Sequence, residues 1–433
     1  MSKDLLRRLL AGTLPDPDGA GMLAVPTHKV VIARTLAGNE AALVAGLGLG
    51  RRLAVVSDPA TREALGARVA LNLAAAAEVE ELVLEPMPSP DSETAARIDA
   101  ATEAADALVA VGSGTINDLC KHASFRAGKP YVVFGTAPSM NGYGSVTAAI
   151  TDHGHKKSLP AQAPLGIFLD LEVLSRAPIR MIRAGLGDSI CRPTAQADWL
   201  MAHLLLGQPY RRAPFRLIEA EEDALLANAA ALVAGDVAAM AILARTLLLS
   251  GFGMTIAGGS YPASQGEHLI SHYIDMMGDP GWPASLHGEH IAVTSLTMAR
   301  LQQDILAGGP PVLSASTVDE AACRRHFGAE LGASCWAAFS AKRLDSGKAT
   351  LLTAKLKRDW QDIRAALRAV MRPAGDMAGA LRAAGAPTQP QDIDLPADFY
   401  RQAVRHAREI RDRFTFLDLA AESGRLDRVA EAA

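Results

Sequence analysis

The chain reads as an α/β domain built on a parallel sheet over residues 1–175, followed by an all-α domain over residues 176–433. Three features predict this. Short apolar runs alternate with helical stretches through the first third of the chain. One of these runs, Leu108-Val109-Ala110-Val111, leads directly into a glycine turn. From about Pro178 the texture changes to long Ala/Leu/Arg-rich segments with apolar residues at helical spacing.

In chain order, a short helical lead precedes a loop over residues 14–21. Residues 29–33 form a strand, 41–49 a helix, and 52–58 a buried strand ending on Asp58. Residues 61–75 have helical character, 80–84 read as a strand, 92–105 as a helix and 107–111 as the strand entering the glycines. Residues 131–134 continue the alternation, which argues for a parallel sheet covered on both faces. Helices are expected at 217–232, 238–249, 351–371 and 396–414, and loops at 276–282, 308–311 and 383–391.

Of the 433 residues 49% are apolar and 21% charged, the balance of a soluble globular protein with more than one domain. A net charge of −4 gives no argument for nucleic acid or an anionic membrane as partner. Cys120, Cys191, Cys323 and Cys335 form no C-x-x-C pair, which fits a reducing cytosol better than a disulfide framework. The first eight residues hold no apolar stretch of signal-peptide length. The most apolar region, 225–259, is interrupted by Asp236 and Arg245, so it reads as a core helix and not a membrane span. A soluble cytoplasmic protein is expected.

Two segments carry chemistry by their histidines. Gly266-Glu267-His268-Leu269-Ile270-Ser271-His272 and Leu286-His287-Gly288-Glu289-His290 hold four of the eleven histidines in the chain. His268 and His272 share a helical face at i, i+4, and neutral imidazoles are good ligands for divalent transition metals. Ordinary buried or hydrogen-bonded histidines are the alternative, and a metal needs a third ligand from elsewhere. Gly112-Ser113-Gly114-Thr115-Ile116-Asn117-Asp118 follows a buried strand, where glycine permits close backbone approach and a helix start favours a pyrophosphate. It is not the G-x-G-x-x-G fingerprint, because Asn117 stands at the third position, and an ordinary strand-to-helix turn remains open. Asp58 suits a ribose diol or a helix N-cap equally, since Pro59 follows it.

These motifs, with Thr136-Ala137-Pro138-Ser139-Met140-Asn141-Gly142-Tyr143, Gly185-Leu186-Gly187-Asp188 and Asp198-Trp199, together resemble the sn-glycerol-1-phosphate dehydrogenase family. That family lies in the iron-containing alcohol dehydrogenase and dehydroquinate synthase-like superfamily. The resemblance is collinear over about residues 30–290 and thins beyond Glu320. It implies a dehydroquinate synthase-like fold, with a Rossmann-like dinucleotide domain and a helical metal- and substrate-binding domain. It also implies that Asp188, His268 and His287 are metal ligands, a set that suits Zn²⁺ and does not exclude nickel or iron. By the same resemblance His272 contacts substrate. Asp58, Gly112, Ser113, Gly114, Thr115, Ile116, Thr136, Ala137, Pro138, Ser139 and Ser145 contact NAD or NADP. His290 has no matched role and reads as a surface or supporting residue. A homodimer is common in the family.

One departure stands out. The family usually has aspartate where this chain has Asn141, which keeps the size and an acceptor oxygen but loses the charge. The expected reaction is reversible hydride transfer between NAD(P)H and the carbonyl of dihydroxyacetone phosphate, a step of phospholipid metabolism, with Asp188, His272 and Asn141 at the chemistry. Candidates for the substrate phosphate are His155, Lys156, Lys157 and Arg192. The alternatives are a dehydrogenase of another polyol or sugar phosphate, a dehydroquinate synthase-like cyclase, and a nucleotide- and metal-binding homologue without turnover.

Overall fold

The computed structural model describes residues 2–19, 21–152 and 155–432. The chain separates into two units, one comprising Met1–Ser189 and Arg212–Ser260, the other Ile190–Arg211 and Tyr261–Ala433. The single break expected near residue 175 is therefore replaced by an interleaved division. Helical composition looks the same whichever core a helix joins, so texture alone could not assign residues 190–260.

In the first unit six parallel strands form one sheet. They are β1 (Lys29–Ala33), β2 (Arg52–Ser57), β3 (Glu78–Val83), β4 (Ala107–Gly112), β5 (Tyr131–Gly135) and β6 (Gly166–Asp170). Their order is β1-β6-β5-β4-β2-β3. β4, β5 and β6 are buried along their whole length, as strands covered on both faces must be. β3 is an edge strand with Glu78, Glu80 and Glu81 exposed, which discourages further pairing. From β2 the chain winds outward to β3, then returns to β4 and winds the other way through β5 and β6. The winding thus reverses between the adjacent strands β2 and β4, and the crevice beyond their carboxyl ends is where open α/β sheets take ligands.

Two sequence expectations change here. The helix at 41–49 shortens to Glu40–Val44, because Gly46, Gly48 and Gly50 all adopt left-handed φ values. β6 was not foreseen: the three large apolar residues Ile167-Phe168-Leu169 carry no period of their own, and pairing with β1 and β5 supplies the strand. An antiparallel hairpin, Thr147–Asp152 with His155–Pro160, was likewise missed.

Three helices of this unit matter for the site: α1 (Gly114–Ala127), α2 (Ile179–Ser189) and α3 (Val237–Ala257). α3 is long and apolar enough to cross a membrane, with mean hydropathy 1.7, yet 67% of that stretch is buried inside the protein. Its Arg245 pairs at 2.9 Å with Glu221 of the helix Ala213–Ala227. α2 meets the loop after β5 so closely that a Cβ on Gly185 would sit 1.6 Å from the carbonyl oxygen of Pro138.

The second unit is helical. α4 (Gly266–Met277) and α5 (His287–Ala307) share a core with Arg192–Leu206, Ser346–Val370 and Ala397–His406, built on Leu269, Tyr273, Met298, Leu356 and Tyr400. The helix expected at 396–414 ends at His406 and tightens into a 3₁₀ turn over Ala407–Ile410.

Gly185→Ala is expected to cost about 3 kcal/mol, because backbone and not a yielding side chain occupies the space. Gly379→Ala, in the interior of Ala374–Ala383 with nothing within 4 Å, is expected to stabilise by about 0.5–1 kcal/mol. Denaturant unfolding of the two variants beside the parent checks both signs.

Candidate functional site

At the reversal point of the sheet, Asp58 ends β2 and Gly112 ends β4. Asp58 is an N-cap: its carboxylate accepts from the Thr61 amide at 2.8 Å, and the Thr61 hydroxyl accepts from the Asp58 amide at 3.0 Å. The capping role therefore holds, and it engages one carboxylate oxygen while the side chain stays only half-buried. Gly112 has no room for a side chain, since its Cβ would lie 2.5 Å from that of Ile116. α1 starts at Gly114, and Ser113 as N-cap makes no side-chain hydrogen bond to the first turn. Such a start presents backbone N–H groups and the positive end of the helix dipole to an anion.

The loop after β5 begins with Thr136, whose amide donates to the Gly112 carbonyl at 3.1 Å. Thr136, Ala137 and Pro138 are buried, and Ser139 is half-buried. The Tyr143 hydroxyl donates to the Ala137 carbonyl at 2.8 Å, and burial pushes its pKa well up. Asn141 lies in the same loop. Its amide donates to Asp188 Oδ2 at 2.8 Å, and its Nδ2 donates to Ser250 Oγ of α3 at 3.3 Å. Asp188, on the last turn of α2, is 1% exposed. Ser145, expected at the dinucleotide, is 3% exposed and its hydroxyl is engaged by Lys121 Nζ at 3.1 Å and the Thr147 carbonyl at 3.0 Å.

In the second unit α4 carries His268 and His272, and His287 opens α5. Their rings gather: the centroids of His268 and His287 lie 5.1 Å apart, those of His268 and His272 6.1 Å, and those of His272 and His287 6.3 Å. Glu267 Oε1 sits 3.0 Å from His268 Nδ1 and also accepts from the Gln265 amide at 2.8 Å. A carboxylate on Nδ1 fixes the ring and leaves Nε2 as the ligand atom, the usual arrangement around a metal-binding imidazole. Two such imidazoles suit Zn²⁺, Ni²⁺ or Fe²⁺.

Sequence reasoning missed the groups behind these rings. Asp275 lies 4.0 Å from His272 Nδ1 and 3.6 Å from His290 Nδ1. His290 is buried, with Ser271 Oγ at 3.5 Å and Ser285 also bonded to it, so it supports the site and is not a surface residue. Asp198 holds the start of α4 through the Gly266 amide at 2.9 Å and accepts from the Phe416 amide at 2.8 Å. Burial, then the charge of Glu267, pushes its carboxyl up to about 8. An aspartate and a glutamate on otherwise apolar helix faces were the available signal for these two. Arg192 bonds Gln196 Oε1 at 2.6 Å, and the side chains of His155, Lys156 and Lys157 lie outside the described residues.

The model of the iron-containing alcohol dehydrogenase family matches residues 31–178. The glycerol-1-phosphate dehydrogenase [NAD(P)+] of Bacillus velezensis is 31% identical over 75% of this chain and 72% of its own length. That of Thermococcus kodakarensis is 33% identical over 63% of this chain and 77% of its own. Two solved structures share the fold. Maleylacetate reductase from Rhizobium sp. strain MTP-10005 has a TM-score of 0.61 at 18% identity, covering 94% of this chain and 96% of that one. Glycerol dehydrogenase from Schizosaccharomyces pombe has a TM-score of 0.59 at 14% identity, covering 94% and 90%. The chain belongs to the glycerol-1-phosphate dehydrogenase family, a branch of the iron-containing alcohol dehydrogenases and a family of NAD(P)-dependent enzymes.

Proposed function

We propose that this enzyme transfers a hydride reversibly between NAD(P)H and the carbonyl of dihydroxyacetone phosphate, giving sn-glycerol 1-phosphate. The observation that carries the reading is the gathering of His268, His272 and His287, with Glu267 on His268 Nδ1, in a chain of this family. Asp188, His268 and His287 are the proposed ligands of one divalent cation, Zn²⁺ first and Ni²⁺ or Fe²⁺ as alternatives. Once bound, the cation supplies Lewis-acid polarisation of the carbonyl and the nicotinamide supplies the hydride.

The chain's own residues bind, orient and move the proton. Amides at the start of α1, from Gly112 to Ile116, receive the pyrophosphate, with Thr136 to Ser139 beside them. Asp58 receives the adenosine ribose, and its negative charge favours NAD over NADP. His272, with Asp275 near Nδ1, holds the proton that the product alkoxide requires. Asn141, its Nδ2 turned to Ser250, offers Oδ1 as a neutral acceptor for a substrate hydroxyl. We read the enzyme as cytoplasmic and homodimeric, after its family. A second reading, another polyol or sugar phosphate as substrate, is favoured by one observation: Asn141 stands where the family usually carries aspartate.

Dihydroxyacetone phosphate is expected to drive oxidation of reduced nicotinamide faster than unphosphorylated dihydroxyacetone does. Chelation should abolish the activity and zinc should restore it. Flat absorbance with both ketones would set the phosphoglycerol reading aside. His272→Ala is expected to lower kcat by about 10²–10⁴-fold while zinc content stays at the parent's value. Asn141→Asp is expected to raise kcat with dihydroxyacetone phosphate. A fall would favour the second reading, and a panel of polyols and sugar phosphates would then be assayed with the parent.

A further inference from the structure

Lys121 is a charged side chain with no place in the chemistry above, and it is buried completely. It projects from α1, two helical turns beyond the end proposed to receive the pyrophosphate. Its ammonium lies 2.7 Å from the Gly142 carbonyl and 3.1 Å from each of the Thr147 carbonyl, Ser145 Oγ and Asp118 Oδ1. Asp118 is anchored in turn, since its Oδ2 accepts from the Ala149 amide at 3.0 Å. Lysine serves two carbonyls, a hydroxyl and a carboxylate at once, and an apolar side chain would leave all four without this donor. What lysine adds is several N–H donors radiating from one atom, which turn the carbonyls of one loop inward to a common point on α1.

That loop carries the groups assigned to the reaction. The residue before Gly142 is Asn141, whose amide bonds Asp188 Oδ2 at 2.8 Å. Its other sides are closed by α3. A Cβ on Gly251 would lie 2.6 Å from the Asn141 carbonyl oxygen, and the Thr255 hydroxyl donates to the Gly144 carbonyl at 2.9 Å. Lys121 and its partner Asp118 tie the loop to the helix that begins at Gly114 by hydrogen bonds. The hydroxyl of Ser145 is engaged within this cage, accepting from Lys121 Nζ and donating to the Thr147 carbonyl.

We infer that Lys121 is a positioning residue: it holds Asn141, and through the Asn141 amide the carboxylate of Asp188, at a set offset from the dinucleotide end of α1. This rests on the function proposed above for Asn141, Asp188 and α1. Lys121 touches neither substrate nor cofactor, and it sets the register between the group that orients substrate and the helix that holds the nicotinamide's other end.

The test is Lys121→Met, which keeps length and removes the donors, beside Ser145→Ala, which removes one acceptor. Lys129→Met is the control, since Lys129 also donates to two carbonyls, those of Thr102 and Glu103 at 2.7 Å each, but on another loop. Three quantities are read on folded protein: zinc affinity by competition with a chromophoric chelator, NADH affinity by fluorescence, and kcat per zinc-loaded site. Lys121→Met is expected to weaken zinc about tenfold, as loss of a support behind a ligand does, with NADH affinity within about threefold of the parent. Its kcat per loaded site should fall more than its NADH affinity, and Ser145→Ala should show the same pattern more weakly. A merely structural lysine would lower the melting temperature and leave zinc affinity and kcat per loaded site at parental values, which overturns the inference. If Lys121→Met does not fold, Ser145→Ala decides: parental zinc affinity and kcat overturn it. If the parent binds zinc and NADH but reduces no ketone, the proposed function fails, and the zinc and NADH titrations still decide the role of Lys121.

Discussion

The carbonyl of Pro138 occupies the space that a side chain on Gly185 would need, and the site in the first unit depends on that approach of backbone to backbone. It brings the last turn of α2 against the loop after β5 closely enough for the Asn141 amide to reach Asp188 Oδ2. Asp188 is almost wholly buried, and an ionised carboxylate at that depth is tolerated only with hydrogen-bond donors or a cation beside it. The loop that supplies the donor leaves the sheet at the carboxyl end of β5, next to β4 and so beside the point where the winding reverses. One packing contact therefore joins the proposed metal ligand to the part of the sheet where a dinucleotide is expected.

The second unit solves a related problem with charge instead of close approach. Helix starts need partners for their first N–H groups, and Asp198 serves two of them, at Gly266 and at Phe416. This sets where α4 begins, and hence which of its faces presents His268 and His272. Burial makes the arrangement costly, and the nearby Glu267 adds repulsion, which together push the Asp198 carboxyl up to about 8. Glu267 in turn orients the His268 ring, and Asp275 lies beside both His272 and His290. Carboxylates thus stand behind two of the three gathered imidazoles, an arrangement suited to a divalent cation.

By the resemblance read in the sequence, Asn141 stands where the family usually carries aspartate. An aspartate at that place would bring a second negative charge beside Asp188, whereas asparagine bonds Ser250 and leaves a neutral oxygen. In the proposed reaction a neutral residue there shifts the handling of the proton toward His272 and leaves Asn141 to orient. Orientation by a neutral group depends on where its backbone is held, so the loop's anchors on α1, α2 and α3 carry weight that a charged residue would carry by itself.

Much of this protein was legible in its residues. Strands β1, β2, β4 and β5 show as apolar runs of the right length, and α1 follows from the glycine turn after β4, because these signals are local. The spacing of His268 and His272 placed them on one helical face, and the motifs around Asp188 and Asn141 identified the family. Other features needed the folded chain. β6 became a strand only through its neighbours on both sides. The helix Arg192–Leu206 joined one core and α3 the other, although both are rich in alanine and leucine. Lys121 and Glu267 looked like ordinary charged residues of helices, and Asp198 counted only as part of a motif, since nothing in a sequence says which helix face will be buried by a partner distant along the chain. Local pattern and motif determined the class of each unit and the kind of chemistry. Long-range packing alone decided which charges were taken out of water, because burial is a property of contacts that only the completed fold makes.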